Sequence, residues 1–241
     1  MPVPPLPAPE ARPGRARLVR IAAAGAGLVL AAMVVVVVFV VRGDDPGEPS
    51  ASGPEGVPTA PVALAPRSSV VDARITPSGD VVVRQWIRSA SNLFGIGLSP
   101  PPGAGVAAGS SPVRVRDVRV FADGRQALGP EQVKKDGGYY PFAAGTDDVF
   151  LSYQLEGAVE RSGSVPRRAL ATVTAVDVDL NPPLLATTYA VSGGDVLNLA
   201  CSAPVPEAVP VPCGEPDDSG WRVRLENADR TDVVTAQLDL P

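Results

Sequence analysis

The longest apolar stretch of the chain is a run of 21 residues, Ile21 to Val41, that contains no charged side chain. A helix of this length spans roughly 31 Å at about 1.5 Å per residue, which matches the hydrocarbon core of a bilayer. Because lipid offers no hydrogen-bond partners to the backbone, a helix is expected even through the valines of residues 34–38. The pattern predicts a transmembrane helix over residues 21–41. The competing interpretation is a cleaved secretory signal, whose apolar region normally runs only ~7 to 15 residues.

The charges that flank this run predict its orientation. Four arginines lie within residues 12–20, whereas Arg42 is the only basic residue in the twenty positions after the run. The positive-inside rule therefore places the N-terminus in the cytoplasm and about 200 residues outside it. We expect a single-pass protein of the cell membrane with an extracytoplasmic C-terminal domain.

The apolar run also carries small residues at four-residue spacing, Ala23, Gly27 and Ala31. Such spacing lets two transmembrane helices approach closely. Homodimerisation through this face is a further expectation, although alanine and glycine are common throughout the chain.

Composition divides the remainder of the chain into three parts. Residues 1–20 form a proline- and arginine-rich tail, which we expect in the cytoplasm. Residues 42–67 are rich in glycine, proline and serine and show no hydrophobic period, which predicts a linker or stalk. From residue 68 to residue 241, short apolar alternations are separated by turn residues, which indicates a separate domain.

Alternation of apolar and polar side chains predicts the fold of this domain. Odd positions from 149 to 155 are apolar with Ser152 and Gln154 between them, and even positions from 234 to 240 are apolar in the same way. A period of two with β-branched residues is typical of half-buried strands. Roughly ten such strands predict an all-β fold, namely an antiparallel β-sandwich of immunoglobulin-like architecture, with a barrel as the alternative. The candidate strands are residues 69–75, 80–88, 92–98, 113–121, 149–159, 169–180, 186–191, 196–201, 221–226 and 234–240.

Two candidate strands change the phase of their alternation. The apolar positions shift near Arg116–Asp117 and again near Ala175–Val176. A bulge or bend, or a strand that crosses from one sheet to another, restores a single buried face. One or two helical turns are expected at Pro130–Lys135, with Pro130 at the first helical position.

Composition and charge exclude several classes of function. The chain contains no histidine, which removes histidine-dependent catalytic triads and metal sites that need imidazole. Four of the 21 basic residues and one of the 26 acidic residues precede Val41, so the remainder carries a net charge of minus 8. An acidic outer domain is repelled by nucleic acid, and we expect no nucleic-acid partner. Two aspartates lie among the four arginines between positions 114 and 125, and we expect these arginine side chains to be solvated.

The two cysteines are predicted to form one disulfide. Cys201 and Cys213 lie on the side of the membrane where disulfides persist, and the segment between them is a proline-rich loop. Their spacing is not the C-x-x-C of a redox-active pair, so we expect a structural staple.

Acidic side chains offer the main candidates for chemistry. Paired carboxylates occur at Asp147–Asp148, at Asp177 with Asp179, and in the cluster at residues 215–218. Such pairs could support glycan hydrolysis, and Asp177 with Asp179 could bind calcium near Asn181. The spacing of Asp177, Asp179 and Asn181 matches no calcium loop, so we expect no metal site. We also expect no cofactor and no catalytic residue.

Binding is therefore the leading hypothesis for function. Tyr139, Tyr140 and Phe142 beside a glycine pair are predicted as an exposed contact patch. We expect a membrane-anchored β-sandwich that contacts a protein partner or organises the cell envelope. The rivals are an envelope glycan hydrolase and the outer domain of a sensor, which would need a second protein because its inner tail has only twenty residues.

Overall fold

A computed structural model describes residues 56–103, 112–205 and 207–241. The predicted cytoplasmic tail, the predicted transmembrane span at residues 21–41 and the dimerisation residues Ala23, Gly27 and Ala31 lie outside the described residues. In the described part, no helix is long and apolar enough to cross a bilayer.

Strands dominate the described residues, as the alternation predicts, and the all-β fold class is confirmed. A short 3-10 turn, Asn227–Thr231, interrupts them near the C-terminus. The strands are β1 (Ser68–Ile75), β2 (Val81–Ser99), β3 (Arg114–Ala122), β4 (Arg125–Gln126), β5 (Gly138–Glu156), β6 (Val159–Arg161), β7 (Arg168–Thr172), β8 (Asp177–Asp179), β9 (Ala186–Ser192), β10 (Asp195–Ser202), β11 (Val211–Cys213), β12 (Glu215–Asp217), β13 (Gly220–Glu226) and β14 (Val233–Asp239).

These strands form two sheets. The nine-stranded sheet has the order β12-β13-β9-β1-β2-β5-β3-β4, with β8 paired to the far half of β2, and the five-stranded sheet has the order β11-β10-β14-β7-β6. The expectation of wholly antiparallel pairing is wrong at one place, because β1 and β9 run parallel. The chain visits the second sheet between these strands, and only such a long crossover lets two neighbouring strands run in the same direction.

One hydrophobic core draws on the inward faces of both sheets. In β14, Val234, Ala236 and Leu238 are fully buried, while Thr235 and Gln237 between them are half-buried. Leu151 of β5 is fully buried in the same core from the other sheet. The sequence alternation therefore identifies the inward face correctly.

The phase change at Ala175–Val176 marks the point where the chain passes from one sheet to the other. β7 belongs to the five-stranded sheet and β8 to the nine-stranded sheet, and residues 173–176 between them are buried. Hydroxyl groups take the place of a strand neighbour here: Val176 N–H donates to Tyr153 Oη at 3.1 Å, and Ala175 N–H donates to Tyr189 Oη at 3.4 Å. The crossing is one of the two explanations that the sequence pattern allowed.

A bulge in β3 accounts for the other phase change. The pairing of β3 with β5 slips between Arg116 and Arg119, and Asp117 adopts a positive φ of 52°. The predicted helical turn at Pro130–Lys135 is wrong. This segment instead runs along the part of the β3 edge that β4 leaves open, and Val133 N–H donates to Val115 O at 3.2 Å. That part of the edge offers backbone partners and a buried site for the Val133 side chain.

Candidate binding surface

Four large apolar side chains form a row across the outer face of the nine-stranded sheet. Val70 of β1 pairs with Trp86 of β2, Trp86 with Phe150 of β5, and Phe150 with Phe121 of β3. The ring centroids of Trp86 and Phe150 lie 5.3 Å apart, and those of Phe121 and Phe150 lie 5.9 Å apart. We call these four residues the aromatic row. Such cross-strand pairs stabilise a sheet, but here they do so on the face that points away from the core.

The sequence carries a signal for this row that the alternation rule does not use. Each member stands next to a residue that is itself fully buried in the core, such as Val71 beside Val70 and Ile87 beside Trp86. Consecutive apolar residues at one register level of four adjacent strands mean that both faces of the sheet are apolar there. The row was missed because each doublet, taken alone, fits an ordinary strand.

A segment without regular secondary structure, residues 56–67, covers the aromatic row, and we call it the strap. Val57, Ala60 and Leu64 pack on the row, and Trp86 Nε1–H donates to the carbonyl oxygen of Pro58 at 2.7 Å. All four members of the row are at most 7% exposed as a result. The predicted boundary between the linker, residues 42–67, and the domain at residue 68 is therefore corrected, because the last twelve residues of that linker lie on the domain.

The strap is tied down most firmly where it enters β1. Arg67 O accepts a hydrogen bond from Leu185 N–H at 2.7 Å, and Arg67 Nε donates to Pro183 O at 2.9 Å. Farther back, over residues 56–64, the bond from Trp86 is the one hydrogen bond to the sheet within the described part of the chain. The strap therefore has a fixed end and a loosely held end.

A cavity of about 500 Å³ lies between the strap and the sheet, and its lining is mostly apolar. Its polar rim contains Asp123 and a two-bond ion pair, in which Arg88 Nε donates to Asp148 Oδ1 at 2.8 Å and its NH2 donates to Oδ2 at 2.6 Å. The hydrogen bond and then the charge of Asp148 raise the pKa of the Arg88 guanidinium above its usual value. The site thus offers apolar and aromatic surface with one charged edge.

The acidic candidates from the sequence do not assemble into a catalytic pair. Asp148 is held by Arg88 while Asp147 is exposed, and Asp217 Oδ2 lies 2.6 Å from Arg222 NH2. Asp177 and Asp179 share the exposed face of β8, and Asp177 Oδ1 accepts a hydrogen bond from the neighbouring Val178 N–H. Across the ranges that the structure describes, no group of three or more metal-ligating side chains is present.

The arginine-rich strand β3 makes ion pairs at the surface. Arg114 NH2 and Arg116 NH1 lie 2.6 Å and 2.7 Å from the two carboxylate oxygens of Glu156. The hydrogen bond from Arg116 is the largest cause of a lowered pKa at Glu156. Both arginine side chains are about half exposed or more, in keeping with the expected solvated face.

The predicted contact patch of Tyr139, Tyr140 and Phe142 is wrong as a single surface. Tyr139 is 61% exposed, but Tyr140 and Phe142 point into the core and are 1% and 9% exposed. Alternation along β5 separates the two tyrosines onto opposite faces, and Tyr140 Oη donates to Pro130 O at 2.6 Å. Tyr139 alone remains available for contact.

Raising the pH from 10 to 12 is expected to destabilise the folded chain in part through Tyr140. Burial raises the pKa of Tyr140 from 10 to about 12, so in this window the unfolded chain loses a proton that the folded chain keeps. The contribution of the protonated Tyr140 to the free energy of unfolding is complete below pH 10. It falls as the pH rises and is smaller by about 2 kcal/mol at pH 12. Urea unfolding of the wild-type chain and of Tyr140→Phe between pH 10 and pH 12 measures this loss. The free energy of unfolding should fall less steeply with pH in the variant, and an equally steep fall in both chains would contradict the prediction.

The predicted disulfide is confirmed between Cys201 of β10 and Cys213 of β11. It closes the loop between two paired strands, because Cys201 lies opposite Val211 and Leu199 lies opposite Cys213. Val205, Val209 and Val211 in or beside this loop are more than half exposed. The staple therefore holds a small apolar loop at the surface.

Comparisons with known proteins give no family for this chain. No family model matches it, and no curated protein matches it. Among solved structures it is similar to an aminopeptidase N family protein from Idiomarina loihiensis, with a TM-score of 0.45 and 12% sequence identity. The alignment covers 71% of this chain but 29% of that one, so the chain spans less than a third of that protein's length.

Proposed function

We propose that this chain is a single-pass membrane protein that presents an immunoglobulin-like β-sandwich outside the cytoplasm to contact a protein partner or organise the cell envelope, without catalysis. The anchor part of the proposal is supported by the apolar run at residues 21–41 and its flanking charges. Homodimerisation through Ala23, Gly27 and Ala31 belongs to the same proposal.

The observation that carries the contact function is the aromatic row with its adjoining cavity. The outer face of a sheet in a small domain is normally polar, because the core needs only the inner face. Here three aromatic rings and an arginine–aspartate pair gather on that outer face beside an open, largely apolar cavity. Aromatic side chains and arginine are the residues enriched at protein interfaces.

The rival function, carboxylate-dependent glycan hydrolysis, receives less support. A hydrolase of that class needs two carboxyl groups that face each other across the substrate, one of which must donate a proton. Asp148 and Asp217 are instead ion-paired with arginines, and Asp177 and Asp179 stand exposed on one short strand. The cavity that adjoins Asp148 is lined mainly by apolar side chains rather than by acids.

Site-specific crosslinking in intact cells tests the contact function. A photoreactive residue at Val62, which lines the cavity and is 38% exposed, is expected to capture a defined protein. The same residue at Leu170, 51% exposed on β7 of the other sheet, is the matched control and should capture far less. Cleavage of cell-wall glycan by the purified chain, together with no specific adduct from Val62, would overturn the proposal in favour of the enzyme.

Cysteine labelling tests the proposed topology. In intact cells, a membrane-impermeant maleimide is expected to label Ala51→Cys, and to label Ala8→Cys only after lysis, because the two positions flank the proposed span. The native cysteines serve as an internal control, since both are held in the disulfide. Labelling of both introduced cysteines in intact cells would contradict an N-terminus in the cytoplasm.

A further inference from the structure

We infer that a notch on the outer face of the nine-stranded sheet, above Gly97 and between Tyr139 and Asp179, is a contact site for an arginine side chain of a partner protein. The notch lies on the far half of β2, beyond the irregular pairing that separates this half from Trp86. The inference rests on the proposed contact function and names the chemistry of one partner group.

Strand pairing places the three residues of the notch side by side. Gly97 of β2 pairs with Tyr139 of β5 on one side and with Asp179 of β8 on the other. Directly paired residues of antiparallel strands lie on the same face of a sheet. The opposite face is the core face, because Ile96 and Leu98 on either side of Gly97 are fully buried. Tyr139 and Asp179 therefore point outward together, with the backbone of Gly97 between them.

Gly97 forms the floor of the notch. The backbones of Tyr139 and Asp179 are two strand spacings apart, which is roughly 10 Å, and no side chain rises from the strand between them. A Cβ built on Gly97 would lie 3.3 Å from the Cβ of Asp179 and 3.8 Å from its Oδ2. A partner group seated above Gly97 is therefore within contact distance of the carboxylate.

A second glycine positions the aromatic wall of the notch. The phenol end of Tyr139 lies over Gly95, where a Cβ would overlap the hydroxyl oxygen and Cζ of the ring. The side chain is nevertheless well exposed, so the ring leans on the sheet and keeps surface open to solvent. Glycine inside a strand weakens the strand, and it often marks a place where another group approaches the backbone closely. A ring that already leans on the sheet loses little conformational freedom when a partner binds.

The charges of this part of the sheet select a cation. Residues 89–99 and 138–147, which contain the paired halves of β2 and β5, include no lysine or arginine, and neither does β8. Their charged residues are Asp147, Asp177 and Asp179. Within the described ranges, the carboxylate of Asp179 has no ion pair and no hydrogen bond, unlike the carboxylates that arginines hold elsewhere in the domain. A cationic group above Gly97 supplies the missing partner.

Arginine matches both walls of the notch. Its planar guanidinium stacks on aromatic rings and donates two parallel hydrogen bonds to one carboxylate. Lysine carries a compact and strongly hydrated charge that lacks this planar geometry. An uncharged sugar ring would stack on Tyr139 but would leave the charge of Asp179 without a partner.

Peptide binding to the full chain in detergent tests the inference. The probes are labelled peptides of four arginines or four lysines and an unlabelled trimer of N-acetylglucosamine, and fluorescence anisotropy at low ionic strength measures peptide binding directly and the sugar by competition. The arginine peptide is expected to bind more tightly than the lysine peptide. Asp179→Asn and Tyr139→Leu should each weaken its binding about threefold, because each variant removes one wall of the notch. Gly97→Val should weaken binding at least as much, because the valine side chain fills the notch.

Asp195→Asn is the matched control for charge. Asp195 is exposed on β10 of the other sheet, so its replacement removes the same negative charge outside the notch and should leave binding unchanged. Melting curves establish that each variant is folded. Tyr139 and Asp179 are exposed, so their replacements should preserve the fold and decide the test even if Gly97→Val does not fold.

Three outcomes would overturn the inference. Equal weakening by Asp179→Asn and Asp195→Asn, or equal affinity for arginine and lysine peptides, would show a general attraction of cations to an acidic domain. Competition by the sugar that is lost in Tyr139→Leu and kept in Asp179→Asn would identify a glycan site. Absence of arginine-peptide binding to the wild-type chain would show that the notch only accommodates the ring of Tyr139. If that absence accompanies specific crosslinking from Val62, the proposed function stands without this inference.

Discussion

Replacing Tyr153 with phenylalanine is expected to lower the free energy of unfolding by about 3 kcal/mol. The Tyr153 hydroxyl is buried, donates to Gln85 Oε1 at 3.2 Å and accepts from Val176 N–H at 3.1 Å. Phenylalanine keeps the ring and removes both hydrogen bonds. The backbone N–H of Val176 then lacks its acceptor, and Oε1 of Gln85 lacks its donor, in the core. The free-energy cost of burying an unpaired polar group exceeds the net free energy that its hydrogen bond contributes, because water cannot replace the lost partner. Urea unfolding at neutral pH measures the loss.

Tyr189→Phe is the matched control for this prediction. Its hydroxyl is also buried and also serves the crossing segment, but it accepts one longer bond, from Ala175 N–H at 3.4 Å. A loss of about 1 kcal/mol is expected. If both variants lose the same amount, the crossing is stabilised by packing alone, and the role given to the hydroxyl of Tyr153 is wrong.

The crossing segment shows how far alternation predicts a fold. The phase change at Ala175–Val176 was visible in the sequence and restricted the chain to a bulge or a change of sheet. The choice between them depends on Tyr153 and Tyr189, which approach from distant strands and accept hydrogen bonds from the backbone N–H groups of Val176 and Ala175. Local pattern thus located the irregularity, and long-range hydrogen bonding determined its form.

The strap illustrates the opposite case, in which composition misled. A segment rich in proline, glycine and small residues is typical of a flexible linker, because it has few side chains to bury. Here its apolar side chains Val57, Ala60 and Leu64 pack on the aromatic row, and the carbonyl oxygen of Pro58 accepts from the indole N–H of Trp86. The signal was in the partner strands, where apolar doublets at residues 70–71 and 86–87 required a cover on the outer face.

Tyr139 and Tyr140 lie on opposite faces of β5 for a simpler reason. Glycines at 137 and 138 indicated a turn, and large residues beside a turn are often exposed. β5 in fact begins at Gly138, so the two side chains already alternate, and Gly129 leaves room for the ring of Tyr140 because a Cβ there would lie 2.2 Å from it. One residue of difference in the start of a strand decides which side chain meets solvent.

Removing the disulfide is expected to lower the free energy of unfolding by about 3 kcal/mol and the melting temperature by roughly 6 to 12 °C. The bond closes a short ring between Cys201 and Cys213, so its loss frees the unfolded chain and also loosens the loop that carries Val205 and Val209. The double variant Cys201→Ala and Cys213→Ala, melted beside the wild-type chain, measures the effect. The loop should also become a site of proteolytic cleavage, because its backbone is then held by few bonds. Val209→Ser, at a side chain that is 78% exposed, is the control and should leave the melting temperature unchanged. An unchanged melting temperature in the cysteine double variant would show that β10 and β11 are held by their backbone pairing alone, and that the staple is dispensable for the fold.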